Sequence, residues 1–242
     1  VPVGYVFHND GSSTYNDNLI EDFNLMAGAW GPEYRNALGA IIDTRLRDPY
    51  HEGLTATIDA SFLRVGGLIE GSIAENQAMY FSYRKGLLEY YVENFIDEDE
   101  LKFTEVPSNN DYQFKYHWKI DDRSNFRISA TGANDKVGIE FGDDSDEVAR
   151  EPALEGGLAA DQFYDNQTLH YDKLFANGTL FKSALTHKKD NTDFSLGTII
   201  DVSFIADETR FKNHFITPIN NGDQIRYGLD LEHWKIEYTA EG

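Results

Sequence analysis

Seven histidines are the first residues to weigh for chemistry: His8, His51, His117, His170, His187, His214 and His233. None stands at the close spacing of a zinc helix or knuckle, so each reads as a wall or loop residue and no metal site is expected. The chain has no cysteine, which excludes thiolate nucleophiles, thiolate metal sites and disulfides. The acidic runs Asp97–Glu100 and Asp143–Glu147 gather carboxylates as calcium requires. Neither has the spaced ligands around a central glycine of an EF-hand loop, and both read as solvated, self-repelling loops. Gly28–Gly31 and Gly66-Gly67 are followed by no Lys-Ser/Thr pair and sit in no βαβ unit, so turns explain them better than phosphate cradles. No Ser-His-Asp constellation can be assembled from spacing. No enzyme activity and no cofactor are expected.

Those residues need elements to position them, and the composition favours strands. Aromatic residues make up 14% of the 242 residues, and flat side chains fit a pleated surface. The formal net charge of −21 would repel a phosphate backbone, so nucleic acid is not an expected partner. No stretch approaches the roughly 18 consecutive apolar residues of a membrane helix, and the N-terminus lacks a signal-peptide layout. Barrel strands escape such scans, since they need only about 10 residues of alternating character.

That alternation is clearest over Asp111–Ile120, where Tyr112, Phe114, Tyr116, Trp118 and Ile120 alternate with Asp111, Gln113, Lys115, His117 and Lys119. This is a strand with one oily and one wet face. Thr55–Phe62, Asn125–Gly132 and Ile225–Glu232 repeat it. Strands are predicted over 54–60, 62–73, 78–95, 111–121, 125–141, 164–176, 179–193, 197–217 and 223–239, with the alternation poorest in 164–176 and 179–193. Several exceed the length needed to cross hydrocarbon, so their upper ends are expected to project beyond it. Tight polar turns at 75–77, 121–125, 177–178 and 220–223 contrast with long excursions at 96–110 and 142–163 and a shorter one near 188–194. Short turns on one rim and long loops on the other are the habit of transmembrane barrels. The expected fold is therefore mainly β, a transmembrane antiparallel β-barrel of about nine strands, partial, preceded by a small unit over 1–52. Within that unit Asn18–Met26 fits a short strand or one helical turn equally well.

The stretch Pro2–Gly11, followed by Leu19–Phe23, Gly28-Ala29-Trp30-Gly31-Pro32-Glu33-Tyr34 and Gly39–Arg45, resembles the second half of a TonB-dependent receptor plug. Leu54–Ile73, with Glu70-Gly71-Ser72-Ile73 before a polar turn, looks like that family's first barrel hairpin. One departure is Arg35 after Tyr34, where the family usually has glycine. The resemblance covers about the first 95 residues; the remainder carries the generic barrel pattern.

The resemblance implies that residues 1–52 are the C-terminal part of a plug and 53–242 the first strands of a barrel in a bacterial outer membrane, within the Gram-negative cell envelope. It implies that a TonB-contacting segment and further strands lie outside this sequence. In that family plug arginines pair with wall carboxylates in the lumen, so Arg35, Arg45 and Arg47 are expected to meet Asp59, Glu70 and Glu89. Gln113, Lys115, His117, Lys119 and Arg127 are expected to face the lumen. The partners so implied are a TonB-type energy-coupling protein, a small ligand such as an iron chelate, vitamin, glycan or peptide, the lipid bilayer and, in one variant, a surface protein subunit. Two rivals stand beside this receptor and transport reading: a soluble β-rich binding or adhesin module, whose oily strand faces would line a dry core, and a plugged barrel that anchors surface proteins.

Overall fold

The computed structural model of the chain describes residues 7–8, 11–28, 39–95, 102–141, 149–150, 155–197, 199–219 and 222–241. Among the described residues, an isolated bridge between Phe7 and Ser13 precedes a 3-10 turn, Asp17–Leu19, that runs into β1 (Ile20–Met26), which pairs antiparallel with β2 (Ile41–Leu46). Asn16 caps the turn by accepting from the Asn18 backbone N–H at 3.0 Å, as a short polar side chain does at such a start.

Nine further strands form one antiparallel sheet: β3 (Thr55–Ala60), β4 (Arg64–Ala74), β5 (Gln77–Gly86), β6 (Lys102–Asp121), β7 (Ser124–Glu140), β8 (Leu158–Leu174), β9 (Leu180–Leu196), β10 (Ile200–Pro218) and β11 (Gln224–Glu241). Each pairs with its sequence neighbours, in the order β3 through β11. This is a large mainly-β meander; no closure into a barrel joins its first and last strands among the described residues.

Three expectations need correction. The strand predicted over 78–95 ends at Gly86, and α1 (Leu88–Phe95) follows, because Leu88, Tyr91, Val92 and Phe95 repeat at helical spacing. The excursions predicted at 96–110 and near 188–194 are largely strand. β6 begins at Lys102 and pairs with the upper part of β7, while Lys188 and Asp190 lie inside β9, paired to β8 and β10. Polar residues there read as loop, yet cross-strand partners hold them in a ladder. Short connections at 75–76, 122–123, 175–179 and 219–223 share one rim, whereas the opposite rim mixes short ones at 61–63 and 197–199 with long ones at 87–101 and 141–157.

The two faces of the sheet differ. On one, the oily set of β6 is open: Trp118 and Ile120 are exposed, and Tyr112, Phe114 and Tyr116 are half-buried. Near the short-turn rim this bare face carries an aromatic row from β8 to β11, Tyr171, Phe181, Phe215 and Tyr227, with successive ring centroids 6.4, 4.8 and 5.2 Å apart. Above a row holding Ser183, Asn213 and Leu229 come Leu169, Leu185, Phe211 and Leu231, paired in register. Beyond them the same face turns polar. Gln167, His187, Thr209 and His233 form one register row, and Asp165, Lys189, Asp207 and Lys235 the next. On β7 and its neighbours Lys136 bonds Glu105 at 3.2 Å and Asp161 at 2.7 Å at this upper level.

One contact crosses strands at the boundary. Tyr112 on β6 passes over Gly132 on β7 and its hydroxyl donates to Asp165 on β8. Gly132 permits this, because a Cβ there would stand 2.5 Å from Tyr112 Cε1.

Candidate functional site

Over β4–β8 the other face is polar and covered; on β11 the same face carries exposed Trp234, Ile236 and Tyr238. Strand parity turns Ala78, Tyr80, Ser82 and Arg84 of β5, and Asp111, Gln113, Lys115 and His117 of β6, toward the N-terminal residues. Their cover is His8, residues 11–19 and the segment from Leu46 to Tyr50, and contacts reach β4, β5, β6, β7 and β8.

A small apolar centre fixes the middle of this interface. Leu19 and Tyr80 are fully buried, with Leu68 beside them and Leu46 against the cluster. Burying such a side chain contributes about 1.5–3 kcal/mol. Polar contacts radiate from it. Asn16, 2% exposed, receives Gln113 Oε1 on its backbone N–H at 3.1 Å and donates its amide to Ser82 Oγ at 2.8 Å. Gln113 in turn donates to Thr14 O at 2.9 Å. These bonds satisfy groups that would cost free energy if buried alone.

Toward the short-turn rim lies a charged knot. Lys115 Nζ donates to Leu46 O at 2.5 Å, Arg47 O at 2.9 Å and Asp48 Oδ1 at 3.4 Å, which uses the three protons of its ammonium. Arg127 holds Asp48 through Nε, 3.0 Å from both carboxylate oxygens, and reaches Asp172 Oδ2 at 2.6 Å through Nη1. Burial alone would raise the Asp48 pKa; the hydrogen bonds and charge of Arg127, with Lys115 and His117 adding to them, hold it below the usual carboxylate range. His51 Nε2 and His117 Nδ1 meet at 3.1 Å, and His117 Nε2 lies 3.1 Å from Asn125 Oδ1.

Arg47 is the pivot of the central part. Its guanidinium faces Glu70 on β4 with both prongs, stacks over the Tyr50 ring at 4.1 Å, and donates from Nε to Asn18 O at 3.0 Å. The Glu70 carboxylate also accepts from the Tyr50 backbone N–H at 3.0 Å.

Toward the opposite rim a second knot is almost fully enclosed. The His8 ring lies between Asp111 and Asp135, with side chains at most 2% exposed, and Arg84 bonds Asp111 from Nε at 2.9 Å and Nη2 at 3.0 Å.

Of the residues singled out from sequence, the structure brings Arg47 to Glu70, and Gln113, Lys115, His117 and Arg127 to the covered face in contact with N-terminal residues. Lys119 sits lower and pairs with Asp122 at 3.1 Å. Arg45 is exposed on β2, and Asp59 is half-buried on β3 opposite Gly66, with neither contacting the other. Arg35 lies outside the described residues. Glu89 is not a wall residue: it belongs to α1 and pairs at 2.6 Å with Lys85, near the end of β5. Sequence reasoning missed Asp48, Arg84, Asp135 and the role of His8. Asp111 and Arg84 do fall on the polar phase of their strands, but nothing in the spacing ties them to residue 8.

No family model matches the sequence, and no curated protein matches it. The fold is similar to a chain in the solved complex of FpvAI with pyocin S2, at a TM-score of 0.64 and 13% sequence identity. The similarity covers 98% of this chain and 36% of that one.

Proposed function

We propose that this chain forms one arc of a plugged outer-membrane β-barrel, residues 1–52 supplying part of the plug and 53–242 the wall, in a receptor that takes up a small ligand. The observation that carries the reading is the inverted polarity of the sheet: over β4–β8 the wet face is buried under a docked N-terminal segment while the oily face is bare. A water-soluble sandwich or α+β domain does the opposite.

From the short turns, the bare face is mainly apolar up to Tyr112, Leu169, Leu185, Phe211 and Leu231, with Ser183 and Asn213 interrupting it, and then turns polar. On β6 the run down to the turn is about 10 residues, which at roughly 3.3 Å each and with strand tilt approaches the roughly 25 Å that such barrels present to lipid. On β8 and β9 it is shorter. The aromatic row beside the short-turn rim falls where an interfacial girdle stands. β3 and β11 end the sheet, and hydrocarbon does not tolerate unpaired strand edges, so this reading requires further strands to close the wall.

The similar fold is that of a TonB-dependent receptor. That supports the family reading of the N-terminal segment as a plug, with energy relayed by a TonB-type protein to rearrange it and let ligand pass. No catalysis is part of this proposal. The soluble-module reading is disfavoured by the open oily face.

The test is fractionation and reconstitution. The protein is expected in outer membranes, extracted only by detergent, with the N-terminal segment cross-linking to β5 through cysteines placed at residues 16 and 82. A chain that stays monodisperse in plain buffer would overturn the reading.

A further inference from the structure

The enclosed knot around His8 carries an inference that does not depend on transport. Ring atom Nε2 of His8 lies 3.1 Å from Asp111 Oδ2, and Nδ1 contacts Asp135 Oδ2. A buried carboxylate in such a contact accepts, so each ring nitrogen facing one must carry a proton. Neutral imidazole has a single N–H and would aim a lone pair at a carboxylate shielded from water.

Charge balance gives the same answer. Asp111 and Asp135 bring two negative charges into a region at most 2% exposed. Arg84 supplies one positive charge on Asp111, and the imidazolium supplies the other. Among the described residues, β5 presents Arg84 to the knot, β6 Asp111 and the neutral Gln113, β7 Asp135, and β8 the hydroxyl of Tyr164 toward Thr14. β4 sends Arg64 to Ser12 and Ser13 O. Without the His8 proton the ring loses its charge-assisted bonds to the two buried carboxylates, a costly change.

The segment that follows is tied to the same residues. His8 O accepts from the Gly11 N–H and the His8 N–H donates to Ser12 O, both at 2.8 Å. Arg84 Nη2 donates to Ser13 O at 2.8 Å, and Gln113 bridges Thr14 O and Asp111. We propose that His8 is a protonation latch: its imidazolium clamps the N-terminal segment onto β5–β7, and loss of the proton releases that segment from the sheet.

Burial alone would lower the His8 pKa, but its hydrogen bonds and charge contacts with Asp111 and Asp135 outweigh burial and hold it above the ordinary value. Docking therefore takes up a proton. The latch is at full strength below the undocked pKa of about 6.5. It weakens as pH rises from there toward the docked pKa, by up to tenfold in the docking constant per pH unit.

The experiment uses the full chain in detergent micelles. Amide hydrogen exchange of residues 11–19, corrected for the intrinsic pH dependence, is followed from about pH 5.5 to 9 in the wild type and in His8→Gln. The wild-type protection factor is expected to be level to about pH 6.5 and then to fall by as much as tenfold per unit; His8→Gln is expected to be less protected and level throughout. A level wild type, or a variant with the wild-type slope, would overturn the proposal. Nitrogen NMR of the histidine rings in the wild type covers the case in which His8→Gln does not fold. A His8 ring protonated at both nitrogens at pH 7 supports the latch, and a neutral ring at that pH rules it out.

Discussion

Arg47 and Glu70 meet across the join between the N-terminal segment and the sheet in a two-pronged contact, Nη2 to Oε2 at 2.7 Å with Nη1 on Oε1. Glu70 is 4% exposed, and the rim of the contact is closed by the Tyr50 and Tyr80 rings. A planar guanidinium matches a carboxylate in a way that Lys cannot, so the pair fixes register as well as charge.

Removing one partner leaves the other charge enclosed. Arg47→Ala and Glu70→Ala are each expected to destabilise docking of the segment by about 2–4 kcal/mol, and the double variant by much less than the sum. Urea unfolding in micelles, read by a reporter on the segment, measures the cycle. Additive losses would mean that the two side chains act separately.

The Asp48–Arg127 contact sets an acid limit. The Asp48 pKa is depressed, so its contribution is fully present above the ordinary carboxylate value near 3.9 and is lost as pH falls through the lower docked value. Segment docking is therefore expected to weaken below about pH 4 in the wild type, and Asp48→Asn to be weaker at neutral pH with less acid response. Proteolysis of residues 46–53, sampled from pH 3 to 7 by transfer to a common assay pH, checks this. An Asp48→Asn profile equal to wild type would refute it.

Gly132→Ala tests the crossing of Tyr112. The new methyl would fall 2.5 Å from Tyr112 Cε1 and 2.9 Å from the Tyr164 carbonyl, the latter being backbone and unable to swing aside. A loss of about 1–3 kcal/mol is expected, typical of overpacking. Tyr112→Phe, which removes only the hydroxyl bond to Asp165, is expected to cost about 1 kcal/mol. Equal effects of the two substitutions would show that the hydrogen bond, and not the steric crossing, matters.

Much of this fold is legible in the sequence because period two is a local signal. The alternation at Asp111–Ile120 marks both the oily face and the face that Gln113, Lys115 and His117 present to the N-terminal residues. α1 was hidden because Leu88–Phe95 follows an alternating strand without a break, and Tyr90 and Tyr91 suit a strand as well as a helix. β8 and β9 alternate poorly, since above Leu169 and Leu185 the bare face no longer has to be apolar. The site is less legible than the fold. His8 meets Asp111 and Asp135 across 103 and 127 residues of chain, and only the register of β5, β6 and β7 brings Arg84, Asp111 and Asp135 under one ring. No spacing rule in a sequence encodes that register directly.

The bare face gives the sharpest test of the membrane reading, because one substitution should have unequal costs at two heights. Ile128 on β7 lies between Tyr116 and Leu169 in register, inside the apolar band. Thr209 on β10 lies between His187 and His233, in the first polar row above it. Arginine at the depth of Ile128 must leave its charge in hydrocarbon or distort the bilayer, at about 2–4 kcal/mol, whereas near the interface the same change costs about 0–1 kcal/mol. In plain water a surface arginine at either place would be tolerated almost equally. Ile128→Arg is therefore expected to lower the folding free energy in phospholipid vesicles by at least about 2 kcal/mol more than Thr209→Arg does, as read by denaturant titration of the refolded protein. Equal and small effects would mean that this face meets water, and the sheet would then need another explanation for its open row of Tyr, Phe, Leu and Ile.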